Sequence, residues 1–337
     1  MGEIMDIEDI TKVSDDRVKK VREKITKKYG ADSLVDFNGE VKKVPAIPTG
    51  SLKLDRALGI GGWPRNRIVN VYGGESSSKT TMALHAIANV QKMGGLAAFI
   101  DFEATFDPFY ANSLGVDLDK LLFAQPESAE EGLQILQDLV ETGELGIGVV
   151  DSVAAITVAA ERQNEFDQAS PMGGQARLMG MVTRKLSPLC KKYDTMLFFI
   201  NQIRSSMNPY GPSTVQPGGR ALPFAASVMV ELKKKEKVAA GKDDPSGNVF
   251  LAKVVKNKVA PPFRECTYEV AFGEGVVLEA EILDLAEEFD FIQKGGAWYT
   301  IGEERFQGKP KAVMYLKENP DIANDLEQKV REKLAET

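Results

Sequence analysis

The run Gly73-Gly74-Glu75-Ser76-Ser77-Ser78-Lys79-Thr80 constrains this chain more than any other feature. It lies between the apolar stretch Ile68–Tyr72 and a helical stretch, Thr80–Lys92, that Gly94-Gly95 stops. In a strand, glycine-led loop and helix, backbone N–H groups and a helix N-terminus wrap a phosphate. The run nearly matches G-x-x-x-x-G-K-[ST], in which the lysine (Lys79) reaches β- and γ-phosphates and the hydroxyl (Thr80) holds Mg²⁺. Ser78 stands at the pattern's second glycine. A negative φ there suits serine, whereas a positive φ costs about 1 kcal/mol or more.

The loop opens an alternation. Ala97–Phe102, Ile147–Val150 and Met196–Ile200 read as buried strands. Ser128–Thr142, opened by the capping sequence Ser128-Ala129-Glu130-Glu131, and Gln175–Tyr193 read as helices. Such units predict an α/β core with a mostly parallel central sheet, covered on both faces, with ligands at the strands' carboxyl ends. Val228–Leu232, Val249–Val255 and Thr267–Ala271 read as antiparallel strands, with Lys233–Lys237 and the Gly241–Gly247 turn separating the first two. Three parts are expected: an N-terminal helix and linker over 1–40, the core over 41–276, and a small α+β domain over 277–337. Val18, Val21, Ile25 and Tyr29 form the helix's apolar stripe, suited either to the chain's own core or to a neighbouring subunit. Asn319-Pro320 opens the last helix.

The 337 residues suffice for about two domains at roughly 150 residues each. Lys plus Arg number 42 and Asp plus Glu 49, a net charge of −7. That excludes a protein gripping nucleic acid by bulk charge. The single histidine, His85, excludes histidine-based triads and zincins and reads as a packing residue. Cys190 and Cys266 have no CxxC partner, so neither a disulfide scaffold nor a cysteine zinc site is expected, and the chain reads as intracellular. Met1–Lys12 holds four acidic residues and no apolar run, and no stretch approaches a membrane span, so a cytoplasmic protein without membrane contact is expected.

Other candidates sit at strand ends. Asp151, after Gly148-Val149-Val150, fits a carboxylate holding Mg²⁺ directly or through water. Glu103 and Asp101 both suit the group that orients a water for in-line attack, and spacing does not choose between them. Gln202 suits either a γ-phosphate sensor or a structural hydrogen bond. The stretches Glu161–Gly174 and Ile203–Gly219 lack apolar periodicity, and long loops in a compact domain are commonly functional.

An ordered set of stretches now matters. It runs through Thr49-Gly50-Ser51-Leu52-Lys53-Leu54-Asp55, the phosphate loop, Phe99-Ile100-Asp101-Phe102-Glu103 and Asp107-Pro108-Phe109-Tyr110. It continues with Val149–Ala155, Phe199–Arg204, Gly218-Gly219-Arg220-Ala221-Leu222, Lys253–Lys258 and Gly296-Ala297-Trp298-Tyr299. With these, essentially the whole chain resembles the bacterial-type RecA recombinase family. The resemblance implies a P-loop NTPase core with ATP and Mg²⁺. It implies a DNA-dependent ATPase that forms helical homopolymers on single-stranded DNA, engages double-stranded DNA and catalyses strand exchange in recombinational repair.

The resemblance also assigns residues. Glu103 matches the catalytic glutamate, with Lys79 and Gln202 beside it as catalytic groups. ATP contacts are expected from Gly73, Gly74, Glu75, Ser76, Ser77, Ser78, Lys79, Thr80, Thr81, Asp107, Tyr110, Asp151 and Gln202, the Tyr110 ring stacking on the base. Thr80 and Asp151 are the metal-side pair. Lys256 and Lys258 match lysines that reach a neighbouring protomer's ATP, and Phe224 an interface position. The two loops match DNA-binding loops, implicating Arg162, Met172, Gly173, Arg177, Arg204, Ser205, Ser206, Met207, Asn208, Tyr210, Gly218, Gly219 and Arg220. The N-terminal helix and the segment near Val44–Ile47 match the part that docks on the next subunit.

Some positions depart. Ser78 replaces the loop glycine, Ala104 stands where members usually carry histidine, and no long acidic tail follows Thr337. These features suit a divergent, phage-encoded member. They also motivate an alternative: a filament or regulatory protein that binds ATP but hydrolyses little of it because of Ser78.

Overall fold

Apolar runs without polar alternation make strands that must be covered on both faces. The computed structural model of the protein describes residues 15–30, 33–34, 44–158, 173–205, 214–239 and 245–336. They belong to two units, Met1–Lys43 and Val44–Thr337. In the first unit, α1 spans Asp15–Tyr29, with Lys27 and Lys28 in its last turn, where cations favour the helix dipole. Its Val18, Val21 and Tyr29 are exposed.

The second unit carries one nine-stranded sheet among the described residues. Its strands are β1 (Ile68–Gly73), β2 (Leu96–Asp101), β3 (Leu121–Ala124), β4 (Leu145–Asp151), β5 (Met196–Gln202), β6 (Val228–Ala239), β7 (Pro245–Asn257), β8 (Glu265–Ala271) and β9 (Gly275–Val276). Their order is β9-β8-β7-β6-β1-β5-β4-β2-β3. From β6 to β3 every pairing is parallel, and β6 to β9 are antiparallel. The expected mostly parallel α/β core is therefore present. Both β1 and β4 are buried along their whole length.

Successive residues serve opposite faces. Val69, Val71, Val149 and Phe198 meet Met82, Ala86 and Val90 of α3 (Lys79–Lys92), after α2 (Leu52–Leu58). Ile68, Ile100, Val150 and Phe199 share the other core with Leu133 and Leu136 of α5 (Ala129–Glu141) and Leu178 and Leu186 of α6 (Gly174–Lys192); α4 (Pro108–Ser113) precedes these. Ile47 pairs with Trp63 in a short antiparallel bridge and is buried in the first core. His85 accepts a hydrogen bond from the Val276 N–H (3.1 Å), and burial pulls its pKa down to about 4. It is a neutral packing residue, as its place on the helix suggested.

One strand expectation needs correction. Lys233–Lys237 does not separate two strands; it lies inside β6, with Lys233 opposite Leu251 and Lys237 opposite Asn248. The lysine side chains are exposed while their backbone stays in the ladder, since a long cationic side chain leaves strand pairing intact.

After α7 (Ala221–Ala225), the C-terminal elements are α8 (Leu278–Glu288), β10 (Gln293–Gly295), β11 (Trp298–Ile301), β12 (Glu304–Gln307), α9 (Lys309–Glu318) and α10 (Pro320–Glu336). Ile282, Leu285, Tyr299, Leu316, Leu326 and Val330 close a third core around Leu52 of α2. Polar contacts lock the same place. The Ser51 hydroxyl and the Lys53 N–H donate to the buried Glu281 (2.8 and 2.9 Å). Lys53 also pairs with Asp284 (2.6 Å), and Arg331 with Asp55 (3.1 Å). Thr49–Asp55 is thus the socket for the C-terminal elements.

Candidate nucleotide site and the bases of two loops

The carboxyl ends of β1, β2, β4 and β5 meet at one edge, in register: Gly73 is opposite Gln202, and Asp101 opposite Asp151. Gly73 must be glycine, because a Cβ there would strike the Leu232 carbonyl oxygen. The loop then turns into α3. Lys79 is buried, and its ammonium donates to the Gly74 carbonyl (2.6 Å) and to Ser77 Oγ (3.2 Å). Burial lowers its pKa, against the pull of Asp151, Glu103 and Glu75.

Ser78 has φ 66° and ψ 18°, the left-handed conformation that glycine adopts freely. The positive branch of the sequence reading therefore holds, with strain of about 1 kcal/mol. The Ser78 hydroxyl does not cap the helix; it contacts the Ser77 carbonyl (2.5 Å) and the Tyr268 hydroxyl (2.7 Å).

Thr80 Oγ1 donates to Asp151 Oδ2 (2.8 Å). Burial first, then the charges of Glu103 and Asp101, push the Asp151 pKa up to about 7. A hydroxyl and a carboxylate, both hard oxygen donors, fit a Mg²⁺ ion that takes its other ligands from phosphate and water. Among the described residues no group of three or more His, Cys, Asp or Glu side chains could hold a metal by itself.

Asp101 and Glu103 separate clearly. Asp101 is buried, and its carboxylate accepts from the N–H groups of Glu103, Ala104 and Phe106 and from the Gln125 amide, at 3.0 to 3.2 Å. Those bonds commit it to holding the turn after β2. Glu103 instead faces the neighbouring strand ends, where its Oε1 accepts from Ser152 Oγ and from Gln202 Nε2 (2.9 Å). Ser152 is fully buried beside Asp151. Sequence reasoning missed it, although its place next to a strand-end aspartate was a usable signal.

The remaining expected residues spread outward. The Thr81 and Tyr110 hydroxyls meet at 2.9 Å, and Tyr110 is half-buried. Asp107 caps α4 by accepting from the Phe109 and Tyr110 N–H groups (2.9 and 3.1 Å). Glu75 and Ser76 are exposed. Lys256 donates to the carbonyls of Pro223 and Phe224 (2.7 and 3.1 Å), Lys258 is exposed, and Phe224 is 72% exposed.

Of the two expected DNA loops, Arg162, Met172, Ser206, Met207, Asn208 and Tyr210 lie outside the described residues, and Ser205 is described by its backbone alone. The bases of the loops are well defined. Gly173 (φ 83°) leads into α6, on which Arg177 is exposed. Arg204 and Arg220 are exposed near the two ends of the second loop, and Gly218 (φ 82°) has no room for a Cβ beside Val153. Gln175 ties the bases together: its amide donates to the Val153 carbonyl (2.6 Å) and its oxygen accepts from the Gly218 N–H (3.1 Å). Asn201, beside Gln202, donates to the Pro217 carbonyl (3.1 Å).

The family described as RecA N-terminal domain matches residues 16–277, and the RecA C-terminal domain matches 280–335. Protein RecA of Bacillus licheniformis is 48% identical over 311 residues, covering 91% of this chain and 89% of that protein. Protein RecA of Treponema denticola is 46% identical over 327 residues, covering 95% and 79%. The chain belongs to the RecA family. As a RecA-family recombinase it binds ATP and DNA, is a DNA-dependent ATPase and assembles into filaments. Among the described residues no helix is long and apolar enough to cross a membrane.

Proposed function

We propose that the strand-end cluster is the hydrolytic ATP site of a cytoplasmic filament that pairs single-stranded with double-stranded DNA. The observation that carries this is Glu103, held by Ser152 and Gln202 beside the Thr80–Asp151 pair. Loop N–H groups from Gly74 to Thr80 cradle the phosphates, and Lys79 turns from its own loop toward the β- and γ-phosphates. Thr80 and Asp151 would hold Mg²⁺, which would supply positive charge against the phosphates. Glu103 orients the attacking water and accepts its proton. Asp107 and Tyr110 border the base.

Gln202 links the γ-phosphate to DNA. Its amide already bonds Glu103, and its neighbour Asn201 bonds the second loop. A γ-phosphate that takes the second hydrogen of this amide draws Gln202 toward it, with Glu103 still bonded and Asn201, whose Oδ1 accepts from the Gln202 N–H (2.9 Å), carried along. ATP then selects the DNA-binding arrangement by differential affinity. Backbone N–H groups and Arg177, Arg204 and Arg220 grip DNA phosphates, and polymerisation multiplies these contacts. Lys256 and Lys258 reach ATP on the adjacent protomer, beside Phe224.

The left-handed Ser78 favours one variant of this reading, a slow ATPase whose filaments persist. The test is ATP-dependent binding of labelled single-stranded DNA, with electron microscopy of the product. Wild type forms helical filaments with ATP, and Lys79→Ala does not. Closed rings, or binding indifferent to ATP, would overturn the proposal.

A further inference from the structure

The Ser78–Tyr268 contact joins residues 190 positions apart, and nothing in the proposed chemistry uses the tyrosine. Tyr268 lies on β8, 1% exposed, its ring stacked on Phe250 at 5.8 Å. A buried phenol hydroxyl requires a partner. Ser78 Oγ, at 2.7 Å, fills that place. Ser78 itself is within 2.5 Å of the Ser77 carbonyl, which can only accept. One assignment satisfies both hydrogens: the Tyr268 O–H donates to Ser78 Oγ, and the Ser78 O–H donates to the Ser77 carbonyl. In the same loop, Ser77 Oγ donates to the Gly74 carbonyl (2.8 Å) and accepts from Lys79.

We propose that Tyr268 is a positioning residue for the phosphate loop, holding through Ser78 the left-handed turn before Lys79 that a glycine would otherwise adopt unaided. The inference rests on the reading of this loop as the ATP site. The pair is reciprocal. Glycine at 78 relieves the backbone but leaves the Tyr268 hydroxyl buried without its acceptor. Phenylalanine at 268 removes that hydroxyl but leaves a strained serine untethered. Changing both together leaves neither fault.

The test is a double-mutant cycle in the full chain. ATP affinity is read with a fluorescent ATP analogue, and KM and kcat from hydrolysis on single-stranded DNA. Tyr268→Phe and Ser78→Gly each raise Kd and KM about 5-fold; in Tyr268→Phe kcat stays within about 3-fold of wild type, because the loop contacts ground and transition states alike. In the double variant Kd returns to within about 2-fold of the wild-type value. In a Ser78→Ala background, Tyr268→Phe adds no further loss. This second cycle still decides the matter if the Tyr268→Phe single does not fold. Losses that multiply in the double variant, or an equal effect of Tyr268→Phe in the serine and alanine backgrounds, would overturn the proposal. A wild-type chain that binds no ATP would instead overturn the loop reading and the proposal with it.

Discussion

Two carboxylates two positions apart do different work here because their hydrogen-bond partners differ. Asp101 is saturated by three backbone N–H groups and an amide, so it maintains a turn. Asp101→Asn keeps the shape but exchanges an acceptor oxygen for an NH₂ that faces backbone donors. Stability falls by roughly 1 to 3 kcal/mol, read as a lower urea midpoint. The sequence left these residues level because alternation reports which face a side chain occupies, not which donors surround it. Ser78 was legible as a departure, but its φ is a property of the folded loop. Ser152 and Tyr268 acquire their roles only when distant strands come together.

At the scale of elements, the strand-end placement was readable because buried parallel strands are written as apolar runs and the chemistry lies just past them. β6 was read too short, because lysine was taken to stop a strand when only its side chain needs water. The loop bases were not readable: Gln175 touches Val153 and Gly218, far from it in sequence. Gln175→Leu removes both contacts and loosens the first loop's exit from the second loop's end. ATP-dependent affinity for single-stranded DNA drops about 5- to 20-fold, measured by fluorescence anisotropy. An unchanged affinity would mean that the two bases are not coupled through this side chain.

For the whole molecule, docking of the C-terminal elements depends on Glu281. Burial pushes its pKa from 4.5 up to about 7. The folded chain therefore holds a proton that the unfolded chain releases between these values. Its stabilising contribution is full below about 4.5 and is lost as pH rises through about 7. The loss amounts to roughly 3 kcal/mol. Glu281→Gln, which cannot ionise, flattens that part of the profile in urea melts taken across the window; an unchanged slope would contradict it. Assembly is a second whole-molecule property. Phe224, 72% exposed, is the position to truncate: Phe224→Ala shortens filaments in electron micrographs without lowering Tm. Whether Glu103, held by Ser152 and Gln202, orients the water that attacks ATP is decided by ATPase turnover of wild type and Glu103→Gln with and without single-stranded DNA. Wild type shows DNA-stimulated turnover, and Glu103→Gln loses about 100-fold or more while still binding DNA when ATP is present. Normal turnover by Glu103→Gln would mean that this carboxylate does not orient the water.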